Sequence, residues 1–321
     1  MTYGSLGDRA KVSVIVALHN RLAQFEHCLA SLARQDYPMK DVELLICDDG
    51  SSEDVEPLTE RFVGVFGGLQ VLYLVRRQGP CAARNMGIRA SKADVCVIVD
   101  SDLVCAPDFL SRIMQAFAEH PDWVAVQAAV IPTGGEVSPL WEAPINDRGI
   151  SYLAGGSAYR KAPLFLVGGF DEEFHSMCCE DAEIAARLLP LGRFGFVPDA
   201  VAYHPRRRVT LATHWRWRLH WKFLVILGKR YGINGFPGRS IGPLPTRLRI
   251  MLSALVRTPG KRFLQGIKHT RVNLVEGLIA MGYAVFDVFC GILVLPEIFF
   301  AKVPPRRDYL SASPPADGLV H

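Results

Sequence analysis

Between Ala200 and Val275 the chain has no aspartate and no glutamate, while the same stretch carries 16 lysines and arginines. Residues 1–199 lean the other way, with 27 acidic against 17 basic residues, so the formal charge of +4 hides an acidic first segment joined to a basic second one. The eight cysteines form no CxxC pair and no histidine stands at zinc-ligand spacing, which excludes a zinc ribbon or a thioredoxin-type motif. Scattered through apolar runs, they read as buried reduced thiols and suit a cytosolic setting. The opening MTYGSLGDRAK lacks the apolar core of a secretory signal, so the expectation is a first segment that stays inside the cell. A disordered chain is excluded by 50% hydrophobic and 10% aromatic content.

What is present is an alternation of short apolar runs with helical patterns, the signature of a parallel sheet with helices on its faces. VSVIVA (12–17), VELLIC (42–47), VLYLV (71–75), VCVIV (95–99) and WVAVQAAV (123–130) read as strands. After the first, Leu22, Phe25, Leu29 and Leu32 fall at helical spacing. Pro80 and Pro107 stand where first-turn prolines open helices over PCAARNMGIRA and PDFLSRIMQAFAEH.

Ligands of such sheets bind outside the carboxyl ends of the strands. Two of those ends are acidic: Asp48 and Asp49 follow the second strand, and Asp100 and Asp102 follow the fourth. Carboxylates repel phosphates, so acids here make sense with Mg²⁺ or Mn²⁺ between them and a bound diphosphate. Aspartates that only cap helices or make turns are the competing reading. A third acidic site is CCEDAEIAARLLPLG, a helix with Glu180 and Asp181 in its first turn, where acids also favour the helix dipole. Upstream lie the glycine pairs of GGSAYRK and GGFDEEF, Gly155 and Gly156 among them, which let a ligand approach the backbone closely. One metal-holding carboxylate plus one free carboxylate fits a displacement in which the free one takes a proton from an attacking hydroxyl.

Jointly, VSVIVALHNR, DDGSSED, GPCAARNMGIRAS, VDSD, GGSAYRKAPLFLVGGFDEEF and EDAEIAARL resemble glycosyltransferase family 2, in that family's order and over roughly Lys11 to His204. The resemblance implies a GT-A fold: an α/β, Rossmann-like, mostly parallel sheet flanked by helices. It implies that Ala17 to His19 and Asp49 contact the nucleotide, with Asp49 on the base, that Arg84 lies near the donor phosphates, and that Asp100 and Ser101 approach the nucleotide. It implies further that Asp102 ligates Mn²⁺ or Mg²⁺ with help from His204, that Asp181 is the catalytic base with Glu180 beside it, and that Gly155, Gly156 and Trp215 face the acceptor. Two departures stand out. The first strand ends in Ala17-Leu18-His19-Asn20, where the family has Pro or Thr and then a Tyr-Asn type pair. Processive members carry Gln-x-x-Arg-Trp, and here THWRW has Thr213 in place of the Gln.

The second segment, RRRVTLATHWRWRLHWKFLVILGKR, interleaves six Arg and two Lys with three Trp. Cations near an anionic leaflet and Trp at headgroup depth point to a membrane surface. No nucleic-acid recognition motif accompanies them, and a solvated basic face is the bland reading. GLIAMGYAVFDVFCGILVL (277–295) is barely long enough to span a bilayer and carries Asp287, so a helix packed on the protein or lying partly in the membrane is expected.

These readings divide the chain into a catalytic domain over 1–210, a basic and apolar helical, membrane-proximal extension over 211–305, and a disordered tail over 306–321. Together they describe an inverting glycosyltransferase peripheral at the cytosolic face of a membrane. It would move a sugar from a nucleotide-diphosphate donor to a glycan or lipid-linked acceptor, with no nucleic acid involved. A sugar-phosphate nucleotidyltransferase is the rival enzyme, disfavoured because ALHNRLAQ contains no glycine for a phosphate loop. A non-catalytic nucleotide-sugar-binding scaffold is the rival outside catalysis.

Overall fold

The computed structural model describes residues 2–3, 10–175, 179–231, 248, 251–300, 305–311 and 319–320. Its strands are β1 (Thr2–Tyr3), β2 (Val12–Leu18), β3 (Val42–Asp48), β4 (Gly68–Leu74), β5 (Val95–Asp100), β6 (Val104–Cys105), β7 (Trp123–Thr133), β8 (Trp141–Glu142), β9 (Ser157–Arg160), β10 (Arg193–Pro205), β11 (Arg207–Arg208) and β12 (Leu319–Val320). The helices are α1 (Leu22–Leu32), α2 (Glu56–Glu60), α3 (Pro80–Ala90), α4 (Phe109–Glu119), α5 (Lys161–Leu166), α6 (Glu180–Leu188), α7 (Leu211–Tyr231), α8 (Thr258–His269), α9 (Leu274–Leu293) and α10 (Leu295–Phe300).

The chain divides into two compact units, one of residues 1–132, 144–204 and 306–321, the other of 133–143 and 205–305. In the first, the main sheet runs β1-β4-β3-β2-β5-β9-β7-β10-β6. The pairs β4–β3, β3–β2 and β2–β5 are parallel, as the buried apolar runs predict. Beyond β5 the sheet turns antiparallel, with β9 against β5 and β7, and β6 against β10. Val12, Val14, Val16 and Leu18 of β2 share one core with Phe25, Leu29 and Leu32 of α1 and with Phe109, Ile113 and Phe117 of α4. Each such side chain contributes about 1.5–3 kcal/mol when fully buried. On the opposite face α3 comes close: a Cβ on Gly87 would meet the Ile15 side chain at 2.4 Å and the Cys47 sulfur at 2.8 Å. The expected helix after Pro107 begins at Phe109 instead, with Asp108 at its N-cap. Seven cysteines are free and buried, and Cys178 lies outside the described residues.

Residues 306–311, expected in a disordered tail, pack on the first unit. Tyr309 donates its amide to Gly168 O and its hydroxyl to Asp171, accepts from Arg89 at its carbonyl, and is followed by the buried Leu310. Residues 312–318 lie outside those described, and Leu319–Val320 pair with β4.

In the second unit β8 and β11 form a two-stranded sheet. Helices α8 and α9 pack closely where Gly266 and Gly277 meet, since a Cβ on Gly266 would lie 2.9 Å from Gly277 O. Asn273 caps α9 by accepting from the Glu276 amide at 3.1 Å. The apolar stretch Leu274–Phe300 is long and apolar enough to cross a membrane by length and composition, and Asp287 within it is paired inside the protein.

Candidate active site

Strand register brings the acidic strand ends together: Ala17 of β2 stands beside both Cys47 of β3 and Asp100 of β5. The β2 end bends sharply, because Asn20 and Arg21 both adopt positive φ, 57° and 63°. That bend is held by the loop after β3. Asn20 N donates to Ser51 Oγ at 2.7 Å, Ser52 N donates to Asn20 Oδ1 at 2.8 Å, and His19 Nδ1 lies 2.9 Å from Asp49 O. Asp49 itself is buried, and its carboxylate accepts from the amides of Gln78 (2.6 Å) and Gly79 (2.9 Å). Burial raises its pKa, and those amide donors oppose the rise. Asp49 thus braces the loop before α3.

Asp102, two residues past β5, is buried, and one of its oxygens lies 3.5 Å from Nε2 of the equally buried His204 at the end of β10. Adjacent ligands on an octahedral ion with ~2.1 Å bonds stand about 3 Å apart, so these two groups fit neighbouring corners of one divalent cation. Among the described residues no group of three or more His, Cys, Asp or Glu could hold a metal, so the remaining ligands would come from substrate oxygens and water.

Arg84 links two of the acidic motifs. The arginine is buried, 2% exposed, and donates to Asp100 Oδ1 at 3.0 Å and to Glu180 Oε1 at 3.1 Å. Its guanidinium also lies over the Phe170 ring, 5.4 Å from the centroid. It therefore joins the strand-end carboxylate to the helix α6 carboxylate. Gly155 leaves room for the same group: a Cβ there would strike Asp100 Oδ2 at 2.2 Å. Gly156, at φ 87°, donates to Ile98 O and accepts from Ala128 N, bridging β5 and β7. Both glycines thus serve the sheet and Asp100. Ser101 sits half-buried in the turn after β5. Trp215 lies in the second unit on α7, 41% exposed.

Asp181 opens α6 beside Glu180 and directly after Cys179, which is held at φ 67°. The residue keeps partial exposure, yet burial of its carboxyl, followed by the neighbouring Glu180 charge, pushes its pKa up to about 8. Glu180 is raised too, by burial, with Arg84 pulling the other way. A carboxylate poised near neutrality is what a general base requires.

Sequence reasoning missed the residues that hold this helix start in place. Asn85, fully buried beside Arg84, donates to Phe170 O (2.8 Å) and Glu172 Oε1 (2.9 Å) and accepts from Phe170 N (2.8 Å). Cys81 donates to Phe174 O, and Arg187 of α6 donates to Val167 O and Gly169 O while paired with Glu183. The available signal was that Cys81 and Asn85 of GPCAARNMGIRA stand four apart and so share one helical face.

The model of the family described as "Glycosyl transferase family 2" matches residues 13–163. Glycosyltransferase AglE of Haloferax volcanii is 32% identical over 208 residues, covering 61% of this chain and 67% of the relative. The chain belongs to glycosyltransferase family 2. The family 2 match takes in Asp49, Arg84, Asp100 and Asp102 and ends before Asp181 and His204. A pre-mycofactocin glycosyltransferase of Mycobacterium tuberculosis is 27% identical over 213 residues, and the chain spans 43% of its length. The fold resembles that of the mannosyltransferase PcManGT from Pyrobaculum calidifontis, solved with GDP-Man and Mn²⁺: TM-score 0.55, 18% identity, covering 89% of this chain and 87% of that one. The mixed sheet with flanking helices is the GT-A architecture.

Proposed function

We propose that the protein transfers a sugar from a nucleoside-diphosphate sugar to an acceptor hydroxyl with inversion at the anomeric carbon. The observation that carries this reading is the Asp100–Arg84–Glu180 chain of contacts, which ties the donor end of the sheet to the helix that presents Asp181. The relative of this fold solved with GDP-Man and Mn²⁺ supports a nucleotide-sugar donor and a divalent ion.

Asp102 and His204 would hold Mn²⁺ or Mg²⁺, which when bound supplies charge to stabilise the departing diphosphate. The chain's own residues do the rest. Asp181 takes the acceptor hydroxyl proton as the oxygen forms its bond to the anomeric carbon and the bond to the diphosphate breaks. A single base acting in line on one displacement inverts the centre. Burial, with the Glu180 charge beside it, keeps the Asp181 pKa raised, and Glu180, clamped by Arg84, fixes the start of α6. Asp49, His19 and Ala17 line the end of β2 and β3 where the nucleoside would sit, and Asp100 and Ser101 close its other side. The basic, Trp-containing second unit favours an acceptor at a membrane surface, a glycan or a lipid-linked one, approached from the cytosolic side.

The test is thermal stabilisation by a panel of nucleoside diphosphates and their sugars, with and without Mn²⁺. A metal-dependent shift with one nucleotide, absent in Asp102→Asn, is expected. No shift with any nucleotide, in detergent or with lipid, would overturn the donor assignment and favour a non-catalytic scaffold.

A further inference from the structure

The α8–α9 hairpin is built inside out for a water-soluble protein. Along α9, Leu274, Leu278, Val285, Phe289 and Ile292 fall on one helical stripe, and every one of them is more than half exposed. On α8, Leu264 is 60% and Ile267 44% exposed. The face of α9 turned inward is made of Gly277, Ala280, Ala284 and Cys290, together with Asp287. A helix that pairs its mid-helix acid, Asp287, inside the protein and exposes its branched aliphatics reverses the amphipathic pattern expected in water. A contiguous apolar patch of this kind marks an interaction surface.

Charge decides what covers it. The hairpin contains two acids, and both find partners within the unit. Glu276 lies 3.2 Å from His269 Nε2, and Asp287 lies 2.6 Å from His214 Nδ1 and also pairs with Arg262. The cations Arg257, Lys261, Lys268 and Arg271 are all exposed. Lys261, Leu264 and Lys268 follow one another at spacings of three and four, so apolar and cationic groups share one face of α8, and Arg271 stands in the turn just after it. A second copy of the chain docking on this face would bring the same cations against each other. An anionic leaflet receives both features at once, hydrocarbon for the stripe and headgroups for the cations. A spanning α9 would instead carry Asp287, with its His214 and Arg262 partners, toward the hydrocarbon centre, where such groups are costly.

We propose that the α8–α9 hairpin is an in-plane anchor that enters one leaflet of an anionic bilayer without crossing it, with the Asp287–His214–Arg262 cluster fastening α9 to the protein side. This deepens the membrane part of the reading above and does not depend on glycosyl transfer.

The experiment is flotation of the purified full-length protein with vesicles of phosphatidylcholine alone or mixed with phosphatidylglycerol. Binding to the anionic vesicles is expected to be at least tenfold tighter, to weaken about fivefold for each of Lys261→Ala and Lys268→Ala, and to be lost in the Val285→Glu/Phe289→Glu double variant. Trypsin sealed inside the vesicles should leave the bound protein whole. Cleavage from the lumen would mean a spanning helix and overturn the in-plane placement. Equal binding to both vesicle types, or retention by the double variant, would overturn the surface assignment. A lipid-free dimer abolished by the double variant would show that a second copy covers the face. Circular dichroism of each variant reads folding, and nucleotide stabilisation reads the catalytic unit separately, so failure of one reading is distinct from failure of the other.

Discussion

Arg84 donates to Glu180 at 3.1 Å across 96 residues of chain, both side chains being almost completely buried. A cation so placed offsets two carboxylates at once, the other being Asp100. Removing it strands them. Arg84→Met should therefore destabilise the protein by about 3–5 kcal/mol in urea denaturation, whereas Glu180→Gln, which keeps an acceptor for the guanidinium, should cost less. If Arg84→Met left stability unchanged while weakening donor binding, the arginine would be a phosphate ligand after all.

The raised pKa of Asp181 sets the pH dependence. The base must be ionised, so kcat/KM should climb about tenfold per pH unit toward a plateau above pH 8. Asp181→Asn should lower kcat by about 10²–10⁴-fold with donor binding retained. The stability consequence has the opposite sign to that of a salt-bridged acid. Because the folded-state pKa lies above the unfolded value near 3.8, the group's stabilising contribution is full below that value and fades as pH rises through about 8. Asp181→Asn should accordingly gain stability relative to the parent as pH is raised, measured by denaturant midpoints from pH 4 to 9. Glu180→Gln removes the second cause of the shift and should move the acid limb of kcat/KM to lower pH.

The pairing of Asp102 with His204 predicts a shared metal. Asp102→Asn and His204→Gln should each weaken Mn²⁺ binding in the presence of nucleotide by at least 10–100-fold, read by calorimetry. Chelation of the parent should reproduce either variant. Full Mn²⁺ affinity in His204→Gln would make the histidine a structural partner of Asp102.

The segment 168–174 is predicted to depend on residues distant in sequence. Asn85→Ala removes three contacts to Phe170 and Glu172 from a fully buried position and should cost about 1–3 kcal/mol. Tyr309→Phe removes one bond to Asp171 and should cost about 1 kcal/mol. Both should speed proteolysis within residues 168–175, and the first should also lower kcat by loosening the approach to α6.

The parallel half of the sheet could be read from the chain because strands buried on both faces are uninterrupted apolar runs, as in VSVIVA and VCVIV. Of the antiparallel half only β7, from WVAVQAAV, could. β9 has only four residues, and β10, RFGFVPDAVAYHP, mixes exposed and buried positions without regular alternation and contains Pro198. Strand ends were legible for the same reason as the strands: Asp49, Asp100 and Asp102 stand directly after apolar runs. Which way each acid points was not.

By itself, then, the sequence determined the parallel strands with β7, the order of the acidic motifs and the reversal of charge near Ala200, all of which are local properties of the chain. Only the tertiary structure decided that Arg84 turns inward to Asp100 and Glu180, that Asp49 is taken up by the amides of Gln78 and Gly79, and that Asp102 meets His204. It also decided that Asp287, in the middle of α9, finds His214 and Arg262. These are pairings between residues far apart in the chain. A buried charge accepts only a partner that the packing of other elements delivers within about 3 Å, and no periodicity or spacing along one segment encodes where that partner comes from.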